Sequence, residues 1–185
     1  MNLSFISNGY LFIPNFIDSD RAIKIGSQFM RLCKTSGAKS DPEVSNAPYI
    51  RNYIRALEIL CEKTPVVSDI VGEYVLPAYT YGRMYQNGSA LRPHIDRPSC
   101  EISLSIHLDG DREWALSMKD KKDNQKDFIM KPGDALLYLG TEYVHWREPY
   151  EGEYYAQIFL HYVRSRGEFA DHYFDKIHAI NIMET

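Results

Sequence analysis

The chain has 185 residues, 44% of them hydrophobic and 25% charged, a balance that builds one globular domain with a substantial core. Its net charge of −4, with no basic run interleaved with aromatics, removes the electrostatic case for nucleic acid. No run of about 20 apolar residues offers a membrane span, and the opening Met1-Asn-Leu-Ser-Phe lacks a positive n-region, so a cytoplasmic protein is expected. Cys33, Cys61 and Cys100 cannot all pair within one chain and match no zinc spacing, which fits a reducing compartment.

An opening strand is predicted near Gly9 to Ile13. Asp18-Ser-Asp20 then supplies an N-cap for a helix from about Arg21 to Lys34, with Ile23, Ile25, Phe29 and Leu32 at approximate helical spacing. Ser36 to Pro48 is polar and is expected to be a loop, part of a lid. Tyr49 to Cys61 is predicted as a second helix and the segment after Pro65 as a short third one, all packed outside a barrel. Tyr81-Gly-Arg-Met-Tyr85 reads as a strand, and Gln86-Asn87-Gly88 as a turn leading through Leu91-Arg92-Pro93 to His94. From Glu101 to Leu108 the alternation is regular: Ile102, Leu104, Ile106 and Leu108 on one face, Ser103, Ser105 and His107 on the other. Glu113–Ser117 and Asp127–Met130 form a hairpin around the charged loop from Lys119 to Asn124. Lys131-Pro-Gly-Asp134 is a tight turn before the apolar strand Ala135–Leu139, and Tyr154–Val163 is a long buried strand. The tail from residue 166 is expected to end in a helix closing one side. Thus a helical part spans about 1–75, a barrel about 76–165 and a tail 166–185.

The chemistry concentrates in His94-Ile95-Asp96 and His145. Two imidazoles and one carboxylate are the ligands of the facial triad, which leaves three positions of an octahedral non-haem Fe(II) open. In a strand, residues two apart share a face, so His94 and Asp96 could grip one ion with Ile95 packing behind. The same three ligands also suit catalytic zinc. His107 and His161 fall on strands and read as hydrogen-bonded core groups, while His172 and His178 lie in the tail. Cys100, close to the pair, reads as packing. Trp114 and Trp146 are candidates for pocket walls, although burial alone explains either.

The order of these features, a Tyr-bearing strand before His-x-Asp and a Pro-Gly-Asp-Ala-Leu-Leu turn before the distal His, resembles the Fe(II)/2-oxoglutarate-dependent oxygenases, specifically the prolyl-hydroxylase-like branch. The likeness covers roughly Tyr79 to Val163, more loosely Phe12 to Asp20. It implies a mainly β fold, α+β by content: a double-stranded β-helix of the jelly-roll or cupin type with N-terminal helices outside the barrel. It further implies that His94, Asp96 and His145 hold Fe(II), that 2-oxoglutarate and O2 take the open positions, and that a small-molecule or peptide substrate, an amino acid free or in a peptide, is hydroxylated with release of succinate and carbon dioxide. The carboxylate of Asp96 argues for hydroxylation over halogenation, since related halogenases have a small residue there.

One departure concerns the cosubstrate. The family usually has Lys or Arg nine or ten residues past the distal His, where this chain has Tyr154 and Tyr155. Arg147, two residues beyond His145 and on its face, is the first replacement; Arg83, then Arg97, follow. Tyr85 resembles the family's cosubstrate-binding tyrosine, and Gln157 is a further amide donor. A metal-binding cupin-like module without oxygenase activity and a zinc-type metallohydrolase are the alternatives.

Overall fold

Alternation along one strand decides which side of the main sheet is apolar and which is free to carry chemistry. The computed structural model describes residues 2–44 and 46–175. Its elements in chain order are α1 (Leu3–Asn8), β1 (Tyr10–Ile13), α2 (Ser19–Thr35), β2 (Tyr49–Arg51), α3 (Ile54–Val71), β3 (Val75–Gln86), β4 (Leu91–His94), β5 (Ile102–Gly110), β6 (Leu116–Lys119), β7 (Gln125–Phe128), β8 (Ala135–Leu139), β9 (His145–Arg147) and β10 (Tyr154–Arg164). Two antiparallel sheets result, one ordered β1-β8-β5-β10-β3-β2 and one β4-β9-β6-β7. Facing each other, they form the expected double-stranded β-helix.

Ile102, Leu104, Ile106 and Leu108 of β5 and Ala156, Ile158 and Leu160 of β10 are buried and join Phe29 of α2 and Ile59 and Leu60 of α3 in one cluster. The opposite face turns inward: the Gln157 amide donates to Ser105 Oγ at 2.9 Å, and His161 Nδ1 lies 3.0 Å from Ser103 Oγ. Helices therefore cover the apolar side, and the polar side lines the barrel. The contact is close where α2 crosses β3, because a Cβ on Gly82 would stand 2.6 Å from Phe29 Cε2. Burying a ring the size of Phe29 contributes about 1.5–3 kcal/mol, and it packs fully only against a residue with no side chain.

The sequence-predicted turn at Lys131–Asp134 closes with Asp134 N–H donating to Lys131 C=O at 2.9 Å, and Asp18 caps α2 through Arg21 N–H. Three expectations are corrected. Tyr49–Arg51 is a strand, because Tyr49, Ile50 and Arg51 pair with Arg83, Gly82 and Tyr81 at the sheet edge and so trade helical for ladder bonding. Pro65 does not divide the following helix, which runs unbroken from Ile54 to Val71. The N–H that Pro65 lacks would serve the carbonyl of Cys61; Cys61 is on the exposed side, where water can serve it instead. Around it, Thr64 Oγ1 donates to Leu60 C=O and Ser68 Oγ to Thr64 C=O. Third, β4 stops at His94, so Asp96 lies past the strand, and Ile95, expected to pack behind the pair, is 54% exposed. Beyond β10 a short 3-10 stretch, Ala170–Asp175, lies against β3; the closing helix expected after it, and His178, lie outside the described residues.

His107, on the inner face of β5, is buried with its ring stacked on Tyr155 at 4.1 Å. Burial first, and the positive charge of Arg147 second, push its pKa down to about 4. The unfolded chain, with the imidazole near 6.5, thus binds a proton that the folded chain refuses between these two pH values. Stability is fully present above pH 6.5 and is lost as pH falls towards 4, by on the order of 3 kcal/mol. His161, also held at about 4 chiefly by burial, adds in the same direction. Thermal midpoints should therefore fall from pH 7 to pH 5, and His107→Gln should flatten that slope; an equal slope in the variant would clear His107 of the effect. Gly82→Ala should cost about 1–3 kcal/mol by overpacking, measured as a midpoint several degrees lower, and Phe29→Leu in the same chain should restore part of it.

Candidate metal centre and its cavity

His94 reaches the barrel interior because β4 is irregular. Leu91 pairs with Arg147 and His94 with His145, so three steps on β4 match two on β9. This bulge lets Leu91 and His94 both face inward, which a regular strand forbids at a separation of three. Pro93, unable to donate to a ladder, is tolerated there because β4 is an edge strand. His145 and Arg147 of β9, two residues apart, share the inward face. Asp96 is placed by its own backbone, whose N–H donates to Gly140 C=O at 2.8 Å. Gly140 has no room for a Cβ, which would collide with Asp96 Oδ2 and the carbonyl of Cys100.

The hydrogen bonds determine which atoms remain available. His94 Nδ1 lies 2.9 Å from Arg92 C=O and His145 Nδ1 2.9 Å from Tyr143 C=O. A carbonyl only accepts, so each Nδ1 carries a proton, and each Nε2 presents a lone pair when its ring is neutral. Ser103 Oγ donates to Asp96 Oδ2 at 2.8 Å, which leaves Oδ1 facing the rings, 3.6 Å from His94 Nε2 and 3.6 Å from His145 Nε2. These separations are too long for hydrogen bonds and suit a shared ion. Burial alone would raise the Asp96 carboxyl, yet His94 and His145 together hold it below the usual carboxylate range. Burial dominates at His145 and lowers its pKa, so the ring is neutral, the form that ligates. The three side chains predicted from sequence thus converge on one point.

A cavity of about 610 Å³ opens over this point. Arg147 lines it and is buried, its Nη1 donating to Trp114 C=O at 2.9 Å and Nη2 to Gln157 Oε1 at 2.7 Å, with the guanidinium 4.5 Å from the Trp114 ring. Among the described residues no carboxylate pairs with it. Arg83, also lining the cavity, differs: its Nη2 meets Asp41 Oδ2 at 2.7 Å and its Nη1 donates to the Tyr85 hydroxyl at 3.0 Å, while its Nε is buried without a partner. Asp41 comes from the 36–48 loop and also accepts from the Tyr81 hydroxyl. Gln157 is tied at both ends, its oxygen accepting from Arg147 and its nitrogen donating to Ser105, so it positions Arg147. Tyr85 is fully buried between Arg83 and Trp114 and lines the cavity. Trp114 sits under Arg147, whereas Trp146 points away and donates to Glu148. Tyr155 occupies the position where sequence reasoning looked for a cation, stacked 5.0 Å from Arg147 with its hydroxyl buried and unpartnered.

Several residues here were missed from sequence. Ser103 was placed on the polar face of β5 but given no role, although a hydroxyl facing a ligand carboxylate is a recurrent device. Asp41 carries no local signal, since its partner lies 42 residues away. Cys100 is more than packing: its sulfur lies 3.0 Å from the Tyr79 hydroxyl, on the cavity wall beside Asp96 and His161.

No family profile and no curated protein matches the chain. Solved structures do. A Pseudomonas putida prolyl-4-hydroxylase superposes with a TM-score of 0.74 over 89% of this chain and 96% of that one, at 14% identity. A prolyl hydroxylase from Trichoplax adhaerens, in complex with a hypoxia-inducible-factor peptide fragment, gives 0.71 over 88% and 87% at 14% identity. HygX from Streptomyces hygroscopicus, with nickel, 2-oxoglutarate and hygromycin B bound, gives 0.68 over 88% and 85% at 15% identity. The chain has the double-stranded β-helix fold of these structures over nearly its whole length.

Proposed function

We propose that the protein is a non-haem Fe(II)- and 2-oxoglutarate-dependent dioxygenase that hydroxylates a small molecule or a peptide residue. One observation carries this reading: Nε2 of His94, Nε2 of His145 and Oδ1 of Asp96 converge beside Arg147, a buried guanidinium with no carboxylate partner among the described residues. Three ligands of this type on one side suit a facial Fe(II) site with open positions. A buried cation next to it suits a dicarboxylic cosubstrate, which a zinc hydrolase or a purely structural metal module would not need. The fold's likeness to a prolyl hydroxylase with a bound peptide and to HygX with 2-oxoglutarate points the same way.

Bound iron, with 2-oxoglutarate and O2, supplies the oxidising chemistry and leaves succinate and carbon dioxide. The protein's own part is geometric. Arg92 and Tyr143 carbonyls fix both histidine tautomers, and Ser103 turns Asp96 so that one oxygen faces the ion. Arg147, held by Trp114 and Gln157, offers its guanidinium to the far carboxylate of the cosubstrate. Asp41, Pro42 and Glu43 of the 36–48 loop form one wall of the cavity.

Arg147→Ala should raise the 2-oxoglutarate concentration for half-maximal succinate release about 10–100-fold, the worth of a charge-assisted pair, with iron affinity little moved; an unchanged requirement would shift the role to Arg83 or Arg97. Removing the Ser103 hydroxyl (Ser103→Ala) should weaken Fe(II) binding roughly tenfold, measured anaerobically through the weak red-end absorption band that Fe(II) and 2-oxoglutarate give together. Absence of that band in the unaltered protein, together with no succinate release, would sink the oxygenase reading.

A further inference from the structure

One polar group faces the metal ligands and has no part in the reading above. Tyr138, on β8, lines the cavity, is buried, and meets the His145 ring edge-on with the two ring centres 4.8 Å apart. Its hydroxyl lies 3.5 Å from His145 Nε2, the atom that would ligate an ion. That imidazole carries its proton on Nδ1 and is neutral, so the tyrosine is the donor. At 3.5 Å the bond is beyond the usual range and holds the lone pair weakly. Asp96, Cys100, Tyr85 and Ser105 also surround the hydroxyl, Ser105 as a donor to it. Among the described residues, His145 is the acceptor it reaches.

These bonds all run in one direction. Arg147 Nη2 donates to Gln157 Oε1 at 2.7 Å, and Gln157 Nε2 donates to Ser105 Oγ at 2.9 Å. Ser105, having accepted there, keeps its own proton for the Tyr138 oxygen, and the Tyr138 proton is turned towards His145. An ion that takes the Nε2 lone pair leaves this buried O–H without its acceptor, and buried donors in folded proteins are almost always paired. We infer that Tyr138 then donates to an oxygen at the keto-acid end of 2-oxoglutarate, so that one chain of hydrogen bonds, from Arg147 to Tyr138, grips the cosubstrate at both ends. This rests on the oxygenase reading and names how its site couples metal to cosubstrate. Position favours the keto-acid end: the chain starts at the cation proposed for the far carboxylate and finishes beside a metal ligand, as a molecule lying between the two requires. Charge favours it too, because an ionised carboxylate accepts more strongly than water. The hydroxyl is released only when the ion is bound, so the cosubstrate gains this bond in the metal-loaded protein alone.

The test uses the full chain loaded with Fe(II) under anaerobic conditions, titrated with 2-oxoglutarate and separately with pyruvate, a keto acid that has no far carboxylate. Tyr138→Phe keeps the ring and removes only the hydroxyl. It should weaken both ligands by the same factor, at least about tenfold, and move the maximum of the red-end absorption band, because the chelating group loses a hydrogen bond. Arg147→Ala should instead weaken 2-oxoglutarate while leaving pyruvate and the band maximum nearly unchanged. Fe(II) affinity without cosubstrate, measured by competition with a chelator, should be equal or slightly higher in Tyr138→Phe, since a rival for the Nε2 lone pair has gone; that result also shows the variant to be folded. An unchanged cosubstrate affinity and band in Tyr138→Phe, a loss confined to 2-oxoglutarate, or a fall in iron affinity as large as the fall in cosubstrate affinity overturns the inference. The band and the substrate-free succinate rate of the unaltered chain report on the oxygenase reading alone, so its failure is told apart from a failure of the role given to Tyr138.

Discussion

Two backbone carbonyls and one serine hydroxyl make the site. Arg92 and Tyr143 carbonyls take the Nδ1 protons of His94 and His145, and Ser103 takes one oxygen of Asp96. What remains are three lone-pair atoms directed at one volume. Every other feature of the barrel supports that arrangement: the bulge in β4 that turns His94 inward, the glycine at 140 that lets Asp96 approach, and the pairing of His94 with His145 across two edge-to-centre strands.

The barrel can carry so many polar groups because the main sheet is divided by face. Its outer side is sealed by α2 and α3 over branched aliphatic residues, and that packing supplies the hydrophobic stabilisation. The inner side is then free to hold Ser103, Ser105, His107, Gln157 and His161, which are buried but mostly hydrogen-bonded to one another. Such a lining keeps imidazoles neutral. His107 and His161 are both held well below their ordinary pKa by burial, and the cationic neighbours add to it.

Legibility from sequence followed the range of the physics involved. The faces of β5 and the Lys131–Asp134 turn are set by local alternation and turn chemistry and could be read directly; the hairpin between them was also legible, although its strands, Leu116–Lys119 and Gln125–Phe128, lie two to three residues nearer the turn than Glu113–Ser117 and Asp127–Met130. The fold class came instead through the family resemblance that the order of those elements around the histidines carries. Tyr49–Arg51 could not be read, because its strand state depends on an edge supplied by residues 81–83. Pro65 misled because a helix break was inferred from the missing N–H alone, while side chains at 64 and 68 and an exposed carbonyl accommodate it. In the cavity, Arg147 and Arg83 were placed on inward faces by counting twos. The difference between them was invisible, since it depends on Asp41 from a loop with no periodicity.

That difference decides which cation can serve a ligand. A guanidinium in a closed barrel is costly unless its charge is balanced. Arg83 is balanced from within by Asp41, whose Oδ2 also accepts from Tyr81, so the pair ties the 36–48 loop down onto the cavity. Were Arg83 to take a carboxylate from a ligand, Asp41 would have to leave, and the 36–48 loop would lose its tie to the cavity wall. Arg147 has no such tie: its partners are a carbonyl and an amide, dipoles that orient it without neutralising it. An incoming carboxylate therefore gains the full charge–charge interaction at Arg147 and displaces nothing there. On the proposed reading this also accounts for the tyrosines at 154 and 155. With the cation supplied from β9, the facing position on β10 needs only a flat surface to hold it, and the Tyr155 ring at 5.0 Å provides one.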